Sequence, residues 1–357
     1  MTHTLRWAPA LLALVAGGTL LAQEAPPPPA PPTTEGVRLA YKWIRGRKSR
    51  LAMKLKGEMA VSIEGGPAGA PNQMPITMSG EASMLQHVST VAKDGTGTVA
   101  ASLDALKILM DLMGNSMVMR YQNGKFSMSM NGQNMPMPPG GAGAPGMPGM
   151  DPKLLRQPFT MRISRLGKIL SVKGPASTVM SSFPGTGQTG MGAGGFALQL
   201  PDHPLQVGEA WEETQQMNIP IGPPGAGLGR GVSMNMEMRA IHTLRKIIAK
   251  GMRRLAVIDT DASISVPESA GAGPISITNM NTNVTGVTYF DIGRGEISSS
   301  KHDVNLSLAM GMDPGALGGQ GAGGQNASFS LDGSFNVTVT NTPVTAAPAK
   351  SAVRRKR

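Results

Sequence analysis

Apolar side chains in this chain recur at every second position, in run after run, and that period leaves little choice of secondary structure. Leu39, Tyr41 and Trp43 alternate with Arg38, Ala40 and Lys42. Met53 and Leu55, then Met59, Val61 and Ile63, carry the pattern past Gly57. A period of two places such side chains on one face of a strand, the face that a sheet buries. Asp94-Gly95 and Asn123-Gly124 stand between alternating runs, where a tight hairpin turn needs positive φ. Leu106, Leu109 and Met113 fit a helix face, but the parity of Leu106, Ile108, Met110 and Leu112 continues into Met117 and Met119. That continuity favours strand.

The chain ahead of these strands has another character. Arg6 precedes a short apolar run over residues 8–22, and Ala22-Gln23 offers a cleavage point. This is the pattern of a secretory signal peptide, too short for a membrane span. Residues 23–36 are a Pro-rich linker that favours extended polyproline II and serves as a spacer. There is no cysteine, which excludes disulfides, thiolate metal sites and lipid attachment through a Cys. No later stretch is apolar for long enough to form a transmembrane segment after signal cleavage. The expected location is therefore exported, periplasmic or extracellular.

Two β halves are expected, over residues 37–199 and 200–340, followed by a basic disordered tail over 341–357. The element Leu200-Pro-Asp-His-Pro-Leu-Gln-Val-Gly-Glu-Ala-Trp211 is the hinge between them, with Pro201 and Pro204 stiffening the approach and Gly208 turning it into a strand. The halves echo one another. A shift of 156 residues, read off the sequence, lays Glu81 on Glu237, Val88 on Leu244, Gly95 on Gly251 and Val99 on Leu255. Gly293-Arg-Gly295-Glu-Ile297 likewise matches Arg165-Leu-Gly167-Lys-Ile169. The resulting fold class is all-β and antiparallel, with two similar curved-sheet halves forming a sandwich or an open barrel, carrying long Gly/Pro/Met loops. Residues 131–151 are one such loop, and Trp211 is a buried anchor of the second half.

The sequence names no catalytic, cofactor-binding or metal-binding residue, and no cofactor. His87, His203, His242 and His302 show no ligand spacing and read as turn or strand-surface residues. Glu212 and Glu213 flank opposite faces of a strand, so they cannot converge on one bond, and both read as exposed carboxylates. No Gly-x-Ser-x-Gly elbow appears. Methionine is the unusual feature, with 27 residues, and Met128, Met130, Met135, Met137, Met147 and Met150 form a thioether-rich segment over 128–150. Thioethers suit Cu(I), whereas the i, i+2 spacing of Met128 and Met130 also suits one buried strand face.

Net charge is +11, and +10 without residues 1–22, which hold Arg6 and no acid. A basic exported protein is matched to anionic envelope surfaces. Nucleic acid is excluded as a partner because the basic runs lack interleaved aromatics. The element LPDHPLQVGEAW, the strand Tyr41-Lys42-Trp43 and the turn Tyr289-Phe290-Asp291-Ile-Gly-Arg-Gly295 resemble a bacterial exported β-rich family, a domain of unknown function. The resemblance implies export and β structure and carries no activity. The leading expectation is a non-enzymatic envelope protein binding a lipid or other apolar or amphiphilic ligand, or an envelope partner. The alternatives are periplasmic copper handling through the Met-rich segment 128–150, or a hydrolase.

Overall fold

The structure, a computed structural model, describes residues 36–64, 73–135, 157–174, 197–221, 232–265, 275–312 and 327–344. The chain divides into Met1–Glu35 and Gly36–Arg357, and all described residues belong to the second unit. Residues 1–22, expected as a signal peptide, residues 23–35 of the expected linker, residues 136–151 and 177–195, expected as loop, and the terminal basic run lie outside the described residues.

Every described element is a strand. The first half supplies β1 (Lys48–Glu64), β2 (Gln73–Val91), β3 (Gly97–Leu112), β4 (Asn115–Gln122), β5 (Lys125–Met130), β6 (Gln133–Met135), β7 (Phe159–Ile163) and β8 (Ile169–Lys173). The second supplies β9 (Ala210–Ile221), β10 (Val232–Lys250), β11 (Arg253–Ser265), β12 (Ile275–Asp291), β13 (Glu296–Met312) and β14 (Ala327–Pro343). All are antiparallel in one sheet of order β6-β5-β4-β3-β2-β1-β14-β13-β12-β11-β10-β9, and the β7–β8 hairpin hangs on β3. β6 and β9 are its edges, so the sheet is not closed. The halves are consecutive stretches of one sheet, not two stacked sheets. β14 runs to Pro343, so strand pairing enters the segment expected as tail.

The longest strands have 19 residues, which at ~3.3 Å per residue is about 60 Å. Their alternation sorts the two faces. Met84, Val88, Val99, Met119, Leu244, Ile258, Val304 and Val339 are buried on the inner face, in one core that draws on both halves. Each such Leu, Val or Met side chain is worth roughly 1.5–3 kcal/mol of burial. The outer face carries exposed Lys54, Lys56, Glu58, Glu81, Lys301 and Asp303. With no helix among the described residues to cover it, the apolar face is buried only because the sheet curls on itself.

Residues 39–43 keep the expected parity but join no ladder. Leu39 and Tyr41 are buried, while the amide of Tyr41 donates to Arg165 O (2.8 Å) and that of Lys42 to Gly295 O (2.9 Å). The segment threads between the two Gly turns that the sequence pairs as equivalents. Tyr41 stacks on Trp43 (5.3 Å) and meets Phe290 edge-on (5.3 Å). Its hydroxyl accepts from the Leu198 amide (2.6 Å), and burial raises the phenol pKa.

The internal similarity is visible in hydrogen bonding. Gly46 and Gly208, both at positive φ, donate to Val88 O and Leu244 O respectively. The ladder then skips Ser89 in β2 and Arg245 in β10, bulges at matching positions under the shift of 156. Beyond the hairpin turn the shift changes. Val88 lies opposite Val99 while Leu244 lies opposite Ile258, so Val99 corresponds to Ile258 rather than to Leu255. Three further rungs, Ile248–Leu255 to Lys250–Arg253, lengthen the second hairpin by more than its tighter turn shortens it, which accounts for the slip.

Three two-residue turns join β3 to β6, at Met113-Gly114, Asn123-Gly124 and Asn131-Gly132, each with both residues at positive φ. β6 therefore places pairing inside the expected 131–151 loop. Met113 is exposed and holds φ of 53° where Asn serves the other two turns. Left-handed backbone costs most L-residues ~1–2 kcal/mol and Asn less. Met113→Asn is expected to stabilise the fold by roughly 0.5–1 kcal/mol, read as a higher urea midpoint at unchanged m-value.

Candidate functional site

Following one rung of the inner face across the sheet locates the site. Trp211, His242, Thr260, Gly286 and His302 are successive cross-strand neighbours from β9 to β13. The same rung continues through Val337, Leu55, Gly80, Ile108 and Met119. One half of the rung is polar and the other is apolar. Glu213 lies one inward position further along β9, and the Thr288–Ser300 pair one position nearer the turns. Glu213, His242, Thr260, Thr288, Ser300 and His302 line a cavity of about 270 Å³, whose other walls include Met238, Ala240, Ala262, Val284 and Val337. Lys168, Thr214 and Gln216 are exposed and mark its rim, where the β9 edge faces the turn at Gly167.

The polar groups are connected but incompletely satisfied. His242, 4% exposed, places Nδ1 3.0 Å from Thr260 Oγ1. Its Nε2 lies 3.4 Å from Glu213 Oε2, an ion-pair contact without hydrogen-bond geometry, so Nε2 has no hydrogen-bond partner. Nδ1 of His302 is also buried without one. Glu213 accepts from the Gln199 amide (3.3 Å), and the Trp211 indole donates to Gln199 O (2.9 Å) while packing on the His242 ring. Burial, with a smaller contribution from His242, lowers the pKa of His302. A side chain on Gly286 would collide with the His302 ring, so this glycine makes room for it.

The corresponding first-half positions explain why the cavity lies in the second half. By register, Gln86 and Ala101 stand where His242 and Thr260 stand, and Phe159 stands where Gly286 does. Phe159 is buried and puts a ring of its own on the inner face, where the second half has Gly286 beneath the His302 ring.

Several sequence expectations change here. His242 is a buried inner-face residue, and His302 faces the same cavity, so neither is a strand-surface residue. His87 is exposed, and His203 sits in the turn before β9, where Glu209 binds both its Nε2 (2.8 Å) and the Gln206 amide (2.8 Å). Glu212 and Glu213 do part to opposite faces. Glu212 pairs outside with Arg239 (2.7 Å), but Glu213 turns inward and is not an exposed carboxylate. Trp211 is half-buried against the core rather than fully buried. Within the thioether segment, Met128 is buried between Met119 and Met135 on the inner face, Met130 is exposed, and Met137, Met147 and Met150 lie outside the described residues. No cluster of three or more His, Asp or Glu suited to a metal occurs among the described residues.

Thr260, His242 and Glu213 align a hydroxyl, an imidazole and a carboxylate. Thr260 nevertheless lies in a strand paired on both sides, so the main-chain amides around it belong to the ladder. None is left to face a developing oxyanion. The arrangement suits holding a hydrogen-bonding group.

Compared by sequence, the chain matches no family model and no curated protein. Among solved structures, Pseudomonas aeruginosa OccK7 (OpdD) aligns over 84% of this chain and 100% of its own at 8% identity and a TM-score of 0.19. OccK9 (OpdG) of the same organism aligns over 83% and 98% at 6% identity and a TM-score of 0.16. Superpositions that loose carry no argument about this chain.

Two outcomes test the geometry. Trp211→Ala removes the indole's packing and its bond to Gln199, and is expected to cost about 3 kcal/mol in equilibrium unfolding. His302 binds its proton less readily folded than unfolded, so it stabilises the fold above the unfolded pKa of 6.5. That contribution is lost as pH falls through the folded pKa. Unfolding free energy should decline on acidification below about pH 6.5, and His302→Gln should flatten the decline.

Proposed function

We propose that this chain is an exported, non-enzymatic envelope protein that binds a small amphiphile in the inner-face cavity of its second half. The observation that carries the reading is a polar patch set into an apolar inner face beside a cavity of about 270 Å³. Such a cavity matches a molecule with a polar end and an apolar body. It equals about nine water volumes, so the ligand, or the part of it inside, is small. The leader-like residues 1–22 and the basic charge support export and contact with an anionic surface.

The distribution of polarity weighs against a bilayer-spanning barrel. Such barrels turn apolar side chains outward and polar ones inward, whereas here Lys54, Lys56 and Glu58 face outward along β1 and Met53 and Leu55 face inward. Among the described residues no helix is long and apolar enough to cross a membrane.

Native mass spectrometry of protein recovered from its envelope is expected to show a co-purified amphiphile. Ala262→Phe, which fills the cavity, should remove it at near-unchanged circular dichroism. Copper in place of an amphiphile would favour the thioether reading, and an apo mass that adds no amphiphile in vitro would defeat the proposal.

A further inference from the structure

Resting on that reading, we infer that the cavity selects an amphiphile whose polar end is an uncharged hydroxyl or amide, and discriminates against carboxylate and phosphate head groups. The groups facing the cavity carry the inference. Thr260, Thr288 and Ser300 bring hydroxyls, each able to donate and accept. His242 Nε2 and His302 Nδ1 are buried and lack hydrogen-bond partners, a state that costs free energy until something fills it. Neither lies at a chain end or a loop. Both sit in mid-strand on side chains that line the cavity, His242 with Nε2 beside Glu213 and His302 with Nδ1 against Gly286.

Charge decides among head groups. A buried anion needs a cationic partner, because desolvation is otherwise uncompensated. Among the described residues, the only Lys or Arg on the cavity lining is Lys168, and it is exposed at the rim. The acidic side chain within is Glu213, next to His242. An incoming carboxylate or phosphate would meet that like charge in a desolvated setting. Burial also keeps His302 toward its neutral form, in which an imidazole is one donor and one acceptor. A ligand hydroxyl or amide, itself both donor and acceptor, satisfies such a set without adding charge. An ammonium could reach Glu213, which keeps lone pairs beyond the one that receives the Gln199 amide, but it must shed its hydration to do so, a cost that a buried ion pair often fails to repay.

Octanol, octanoate and octylamine share one tail and differ only at the head, so calorimetric titration of the full chain with each at neutral pH isolates the selection. Octanol is expected to bind at least about tenfold more tightly than octanoate, a difference of about 1.4 kcal/mol, and more tightly than octylamine. Its binding should vanish in Ala262→Phe. Glu213→Gln should narrow the gap between octanol and octanoate; should that variant not fold, the three wild-type affinities still decide. Octanoate or octylamine binding as tightly as octanol would overturn the head-group inference and leave the amphiphile reading standing. Failure of all three to bind would sink the amphiphile reading itself.

Discussion

β1 and β14 pair over sixteen consecutive rungs, from Ser49 opposite Pro343 to Glu64 opposite Ser328, and so join the two halves at the middle of the sheet. Closing a loop of nearly the whole chain costs about 5 kcal/mol of entropy, which a seam this long offsets even at about half a kcal/mol per rung. The seam also fixes where the edges fall. With the first and last long strands in the centre, the sheet ends at β6 and β9. The inner faces of both halves then belong to one curling surface, and residues 39–43 bond to a turn from each half near its base.

The similarity of the halves makes their difference interpretable. Bulges at Ser89 and Arg245, and turns at Gly46 and Gly208, place the same backbone twice. On that shared frame the first half closes its interior with Ala101 and Phe159, both buried. The second half puts Thr260 and Gly286 at those places and adds His302 over the glycine. A fold that needed only stability would fill both halves alike, since a cavity forfeits dispersion contacts. Here the polar half retains a cavity and two unpartnered imidazole nitrogens, and the proposed binding site rests on that difference.

Much of the strand content was legible because it depends only on parity and turn chemistry. Asn123-Gly124 makes the expected hairpin, and the stretch from Leu103, with its helical alternative, is strand as far as Leu112, with Met113 in the turn. Pairing was not legible. Residues 39–43 have strand parity, yet their amides go to turns, and no local pattern marks that choice. Met113-Gly114 escaped notice because Met is an unusual residue at positive φ. The site was half legible. His242 shares parity with Met238, Ala240 and Leu244, and His302 with Val304, so each stands as a polar interruption on an apolar face. That they share a cavity follows only from register, through Thr260 and Gly286, and register between strands so far apart in sequence cannot be read from alternation.

The position of the cavity against β9 has its own logic. A cavity under a central strand could be reached only by breaking ladders on two sides, whereas among the described residues β9 pairs with β10 alone. Near its start β9 is held by the Trp211 indole, by Glu213 on the Gln199 amide, and by Gly208 and Glu209 on Leu244. Just beyond, Thr214 and Gln216 are exposed at the rim. An open edge is an aggregation risk unless charge or proline blunts it, and this one carries Glu212 and Pro220. The same edge that keeps the sheet from closing thus supplies the rim through which this polar region of the inner face meets solvent.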